Sequence, residues 1–338
     1  MFSSLRLDTD RLSPSGAAVW GVIALLLLLS FAVQPGLFVD QFIGGLVYGV
    51  SLILIALGLS IILGLLGIVN FAHGALFMLG AYFTYQLMAV WGVSFWVALV
   101  VAPILVGLFG VLIERLVLQW LYDETPITGL LATFGVAMMI QEATRATWGG
   151  TPLSVQTPTV LTMGADLVVT TVARIRLFSV AVAVVAILGV YLLIERTDFG
   201  LSVRAGVLDR EMAGFLGIDM PKRFVAMFFL GSFIAGLGGV LRGTAVGMDP
   251  MMGQQFIIIT FVVVVVGGIG SLFGSVVSGI LIGEAVYLTP LILTSLAKVS
   301  GVDALAIPGI GGLVPYLVMI VVLMVRPRGL FGQEGFLE

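Results

Sequence analysis

Few residues in this 338-residue chain are equipped for chemistry, and their spacing narrows what that chemistry is. There is one histidine, His73, and no cysteine, which excludes disulfides and thiolate metal sites; no metal is expected. No Ser/His/Asp arrangement and no paired carboxylates stand out, so an intramembrane enzyme has little support. The two lysines, Lys222 and Lys298, do not follow a GxxxxGK[ST] loop, so the chain does not hydrolyse ATP by itself and no cofactor is expected. Net charge is -3 without a basic stripe, and nucleic acid is not a partner.

What remains is a set of polar interruptions in apolar sequence. Asn70-Phe71-Ala72-His73-Gly74 breaks a hydrophobic run without adding charge. Asn70 is placed to cap the following helix, and Gly64, Gly67 and Gly74 let backbones approach. In transporters, breaks of this kind offer helix ends to a polar substrate. An ordinary interfacial turn, with His73 hydrogen-bonded for structural reasons, fits the same residues. A second break runs Gly267-Gly268-Ile269-Gly270-Ser271, with Gly270, Gly274 and Ser278 at four-residue spacing and Gly279 and Gly283 on a neighbouring stripe. Small residues at that spacing denote close helix packing. Glu284 is the acid deep within an apolar run. Holding a carboxylate there is costly, so it is a site candidate or a buried structural hydrogen-bonder. Glu142 and Arg145 stand at i,i+3 and read as a local ion pair.

The charge of the chain is concentrated elsewhere, between Glu195 and Arg223, where five basic residues (Arg196, Arg204, Arg210, Lys222, Arg223) meet five acidic ones. Such an insert cannot lie in lipid. A short helix is legible inside it: Asp209 as N-cap, Arg210 and Glu211 in the first turn, Gly217 at C′. Met212, Phe215 and Leu216 then fall on one apolar face beside Ala213. That face suits a groove on a partner protein or, equally, the surface of a membrane or of its own bundle.

The elements that hold these residues are transmembrane helices. The chain is 60% hydrophobic and 10% charged with mean hydropathy +1.22, against about 25% charged in soluble domains. From Gln41 to Ile113 there is no Asp, Glu, Lys or Arg. At about 20 residues per crossing, the pattern predicts an all-α polytopic protein of about ten spans, near 17–33, 42–66, 71–90, 95–117, 127–147, 177–194, 223–245, 255–270, 272–294 and 309–325. The fifth and sixth are joined by an external loop at 148–173 carrying a short strand or hairpin, and 255–270 is short enough to be re-entrant. Residues 17–33 are read as a retained first crossing, because no clear cleavage site follows. Basic residues fall ten to five in favour of the side bearing both termini and the 195–223 island, which places these in the cytoplasm.

LGLLGIVNFAHGALFMLGAY, the island ending DREMAGFLGID, the VVVVVGGIGSLFGSVVSGILIGEAV run and the closing VRPRGLFG together resemble the permease subunit of ABC importers for branched-chain amino acids. The resemblance covers residues 40–332 and treats the whole of 1–338 as one permease domain. It implies a non-catalytic subunit of a bacterial or archaeal inner membrane, paired with a second related permease, two cytoplasmic ATPases and a periplasmic substrate-binding protein. The island helix then resembles a coupling helix. Glu211, Ala213 and Gly217 match the family's Glu-Ala-Ala-x-x-x-Gly, while Met212 replaces an alanine and the Ile-x-Leu-Pro extension is absent. The two breaks and Glu284 become gate or pathway candidates, because half-helix ends supply dipoles to both ends of a zwitterion. A urea or short-chain amide permease of the same fold and an ion-driven secondary transporter are the competing readings.

Overall fold

A computed structural model describes residues 14–66, 69–122, 124–167 and 169–332. Arg6, Arg11, Gly67 and the final six residues lie outside them. The organising element is α2 (Pro35–Leu66), which follows α1 (Pro14–Val33) after Gln34 alone. Its sequence is apolar on every side, and a helix of that kind belongs in an interior. Leu52 to Ala56 are accordingly all inaccessible.

Around α2 stand α3 (Ala72–Tyr85, continued by a π-turn over Gln86–Val90), α4 (Phe95–Leu116) and α5 (Pro126–Trp148). The connection after α5 holds α6 (Thr159–Thr162) and the antiparallel hairpin β1 (Gly164–Leu167) and β2 (Thr170–Ala173), in register Gly164↔Ala173. This is the hairpin that the Thr- and Val-rich loop predicts. Next come α7 (Arg174–Arg196), α8 (Asp198–Leu208), α9 (Arg210–Phe215), α10 (Met220–Val246), α11 (Met252–Gly267), α12 (Leu272–Ser300) and α13 (Val314–Val325). Leu108, Leu112, Met139 and Val185 on α4, α5 and α7 are exposed. These apolar outer faces are what a lipid-facing surface requires.

Side-chain contacts fix the directions of the helices. Arg176 pairs with Asp40 at 2.7 Å, so α2 and α7 start together and run to the end of the bundle carrying α8 and α9. α10 and α12 begin at that end and return. They pack against α2 through glycines: a Cβ on Gly58 lies 2.6 Å from the Gly231 carbonyl oxygen, and one on Gly49 lies 2.9 Å from that of Gly279. Gly283 against Gly45 continues the α2–α12 seam. The neighbouring stripe of small residues is thus a helix-packing surface, as its spacing predicts.

Six helices are long and apolar enough to cross a membrane, or seven if the pair Asp303–Gly312 and Val314–Val325, bent by 81°, is one span. Three of the segments expected to cross are shorter: Gly21–Val33, Met252–Gly267, and the 14-residue α3 with its five-residue π-turn. Hydropathy registers how long an apolar run is, not where inside it a helix starts. The island also holds more helix than expected: α8, capped by Thr197 Oγ1 accepting the Gly200 N–H, precedes the short helix read at Asp209.

Candidate functional site

The sequence-predicted residues fall in three separate places, with Glu284 apart from all of them. At the first, Asp209 Oδ1 accepts the Met212 N–H at 2.8 Å and caps α9. Gly217, at φ +84°, closes the other end, with Ile218 N–H donating to the Ala213 carbonyl at 3.1 Å. That left-handed turn is why a glycine stands at C′. Arg210 and Glu211 fill the first turn. Ala213 is the inward residue, packed with Met220, Phe224 and Tyr122. Met212, Phe215 and Leu216 point outward at 54%, 77% and 75% exposure, so the apolar face is uncovered in this chain alone. An open concavity of about 600 Å³ runs alongside, lined by Glu211, Phe215, Asp219 and Pro221 among others. Asp219 caps α10 and pairs with Lys222 at 2.7 Å, and that hydrogen-bonded pairing holds its carboxyl below the usual range.

The second place is the Asn70–Gly74 break, which is sealed. Asn70 and His73 are 1% and 0% exposed. The expected cap is corrected here: Phe71, not Asn70, holds the N-cap position of α3. Thr133 of α5 accepts the Phe71 N–H at 3.2 Å and approaches the Val69 carbonyl at 3.2 Å, so a hydroxyl 62 residues away replaces the local side chain. Both polar atoms of the Asn70 side chain are left without a partner, as are Ser60 and Thr260. The Ile55 carbonyl lies near the His73 ring, yet neither ring nitrogen makes a well-formed hydrogen bond. The ring presses on Gly58, where a Cβ lies 2.7 Å from Nε2. Gly74 meets Gly253 of α11 backbone to backbone. The start of α3 is therefore enclosed by α2, α10 and α11. Thr133 was not legible as a neighbour of this break, since isolated hydroxyls in apolar helices are common.

The third place is Gly267–Ser271, a turn at the island end of the bundle. Gly268 and Gly270 take φ +101° and +78°, and Ser271 caps α12 by accepting the Gly274 N–H at 3.0 Å. Gly64 at the end of α2 lies against Gly270. A C-terminal strap covers the turn: Leu330 N–H donates to the Val266 carbonyl at 2.8 Å and Phe331 N–H to that of Gly267 at 3.0 Å. Ser278 Oγ bridges back to the Val263 carbonyl at 2.7 Å. Glu284 stands apart, thirteen residues along α12 from Ser271 and so about 20 Å away. Its two oxygens find no hydrogen-bond partner and face the Gly45 backbone of α2. Glu142 and Arg145 form the local pair expected of them, at 2.8 Å. Glu114, which the sequence offered only as part of a polar turn, is 3% exposed and accepts the Tyr122 hydroxyl at 2.8 Å. Among the described residues no group of three or more His, Asp or Glu is placed to hold a metal ion.

Apolar helices of spanning length, packed through glycine seams and turning lipid-compatible faces outward, define a multi-pass membrane protein. The family model for the branched-chain amino acid transport system permease component matches residues 41–323, and the chain belongs to that family. It is 26% identical over 310 residues to the high-affinity branched-chain amino acid transport system permease protein LivH of Salmonella typhimurium, covering 88% of this chain and 96% of the relative. Its identity to BraD of Pseudomonas aeruginosa, similarly named, is 28% over the same length and shares. A probable LivH of the archaeon Methanocaldococcus jannaschii is 27% identical over 306 residues, covering 86% and 91%. No solved structure matches the chain.

Proposed function

We propose that this chain is the membrane-spanning, non-catalytic permease subunit of an ATP-driven importer for leucine, isoleucine and valine. The observation that carries the reading is α9: a helix capped at both ends whose apolar face, Met212, Phe215 and Leu216, lies bare on a charged projection. Exposed apolar faces of that kind are used by helix-in-groove contacts. The groove belongs to one of two cytoplasmic ATPases; a second, related permease completes the membrane unit, and a periplasmic binding protein delivers cargo. The relatives' names supply the cargo class, and their bacterial and archaeal sources support an inner-membrane location.

On this reading residues 1–338 form one permease domain, 195–223 is its cytoplasmic loop and 148–173 its external one. Both termini are cytoplasmic. Ten crossings result when α1, α3 with its π-turn, and α11 are each counted beside the seven longer spans. The pathway residues are Asn70, His73, Gly74, Gly267, Gly268, Gly270, Ser271 and Glu284.

Phe215→Asp tests the proposal. Membrane insertion stays intact, while co-purification of the ATPase and leucine uptake are lost. A Phe215→Asp assembly that still carries ATPase and transports normally refutes the docking role. Uptake of urea or acetamide in place of leucine refutes the cargo.

A further inference from the structure

At the end of the bundle opposite α9, residues 152–154, the last turn of α10 and the first turn of α11 enclose a cavity of about 370 Å³, within the ~300–1,000 Å³ usual for small-molecule sites. Arg242 and Asp249 both line it, and neither forms an ion pair with the other or with any further described residue. The Arg242 guanidinium lies 5.8 Å from the ring centre of Tyr48 and 5.4 Å from that of Phe256. Aromatic faces attract the cation but supply no lone pair for its five N–H donors. Asp249 uses Oδ1 to accept the Met251 N–H at 2.8 Å, which leaves Oδ2 open. Met248, Met252 and Phe256 give one part of the wall an apolar, adaptable surface, beside the polar Ser154 and Gln255.

Two half-buried opposite charges that fail to meet carry desolvation that ring faces and one backbone N–H offset only in part. A ligand bearing both charges on one small frame, with an aliphatic tail, complements them at once. We propose that this cavity is the permease's own receiving site for a zwitterionic α-amino acid. Arg242 holds the carboxylate, Asp249 the ammonium, and Met248, Met252 and Phe256 the side chain. The inference rests on the importer reading and adds to it a site at the opposite end from the ATPase-binding helix. A neutral amide such as urea satisfies neither charge.

The chain has no cysteine, so Ser154→Cys on the exposed rim of the cavity places one reactive thiol in this subunit. Maleimide labelling of that thiol is followed in the full assembly in membrane vesicles, with leucine, with isocaproate (leucine without its ammonium) and with urea. ATP-driven leucine uptake is measured in parallel. Leucine slows labelling, and isocaproate and urea at equal concentration do not. Arg242→Gln or Asp249→Asn raises the half-protecting leucine concentration at least about tenfold. Arg242→Lys, which keeps the charge and loses the fork, recovers part of the protection. If Arg242 serves only to staple Tyr48 to Phe256, labelling is indifferent to leucine in every background. Should the Arg242 variants fail to assemble, the contrast of leucine with isocaproate in the unaltered cavity decides. Uptake without protection overturns the receiving site alone. Protection without uptake overturns the importer reading and leaves the site standing, and absence of both overturns both.

Discussion

The two glycine-bearing breaks look alike as sequence and are built in opposite ways. Asn70–Gly74 starts a helix inside the bundle, with Asn70 and His73 buried and their side-chain atoms unpartnered. Gly267–Ser271 is a turn at the island end, its backbone groups taken up by Ser271 and by the strap at Leu330 and Phe331. Where the second break has its backbone groups paired, the first keeps unmet hydrogen-bonding capacity in the interior. Each such group costs about 1–3 kcal/mol, a cost consistent with the proposed pathway role of Asn70 and His73.

Substitution can break this contrast. Gly74→Val drives a side chain into the Gly253 backbone, and overpacking there costs about 3 kcal/mol, the top of the usual range. Thermal unfolding of the detergent-solubilised subunit shows it as a collapse in stability and yield. Asn70→Leu removes an unpartnered amide and stabilises by about 1–3 kcal/mol in the same assay, yet it lowers leucine uptake by at least about tenfold. Unchanged uptake in that more stable variant takes Asn70 off the pathway. At the second break, Gly268→Ala meets Gly332 and the positive φ together and costs about 1–3 kcal/mol. Hydrogen exchange at Leu330 and Phe331 then speeds up. The smallest effect is Glu284→Gln, which keeps shape and removes charge. Stability moves by less than about 1 kcal/mol and uptake only mildly, whereas complete loss of uptake in a well-folded variant shows that the charge itself is used.

How far the sequence could be read follows the range of the interactions. Asp209, Gly217 and the outward Met212–Phe215–Leu216 face were legible because caps and helical periodicity act within a single turn. The six long helices were legible from apolar length. Asn70 misled because Thr133, from a helix read separately, took over the role a local cap would have had. α8 was not read, because Gly200 and Gly206 within it lower helix propensity. Arg242 and Asp249 were unreadable as neighbours, since their shared cavity exists only once residues 152–154 fold down between α10 and α11.

The strap at the second break has a consequence for how the subunit is made. Leu330 leaves the ribosome 64 residues after Val266, whose carbonyl it closes. At 5–20 residues per second the nascent chain therefore spends roughly 3–13 s with those acceptors unclaimed. Completion of the α11–α12 corner must wait for that late-arriving segment.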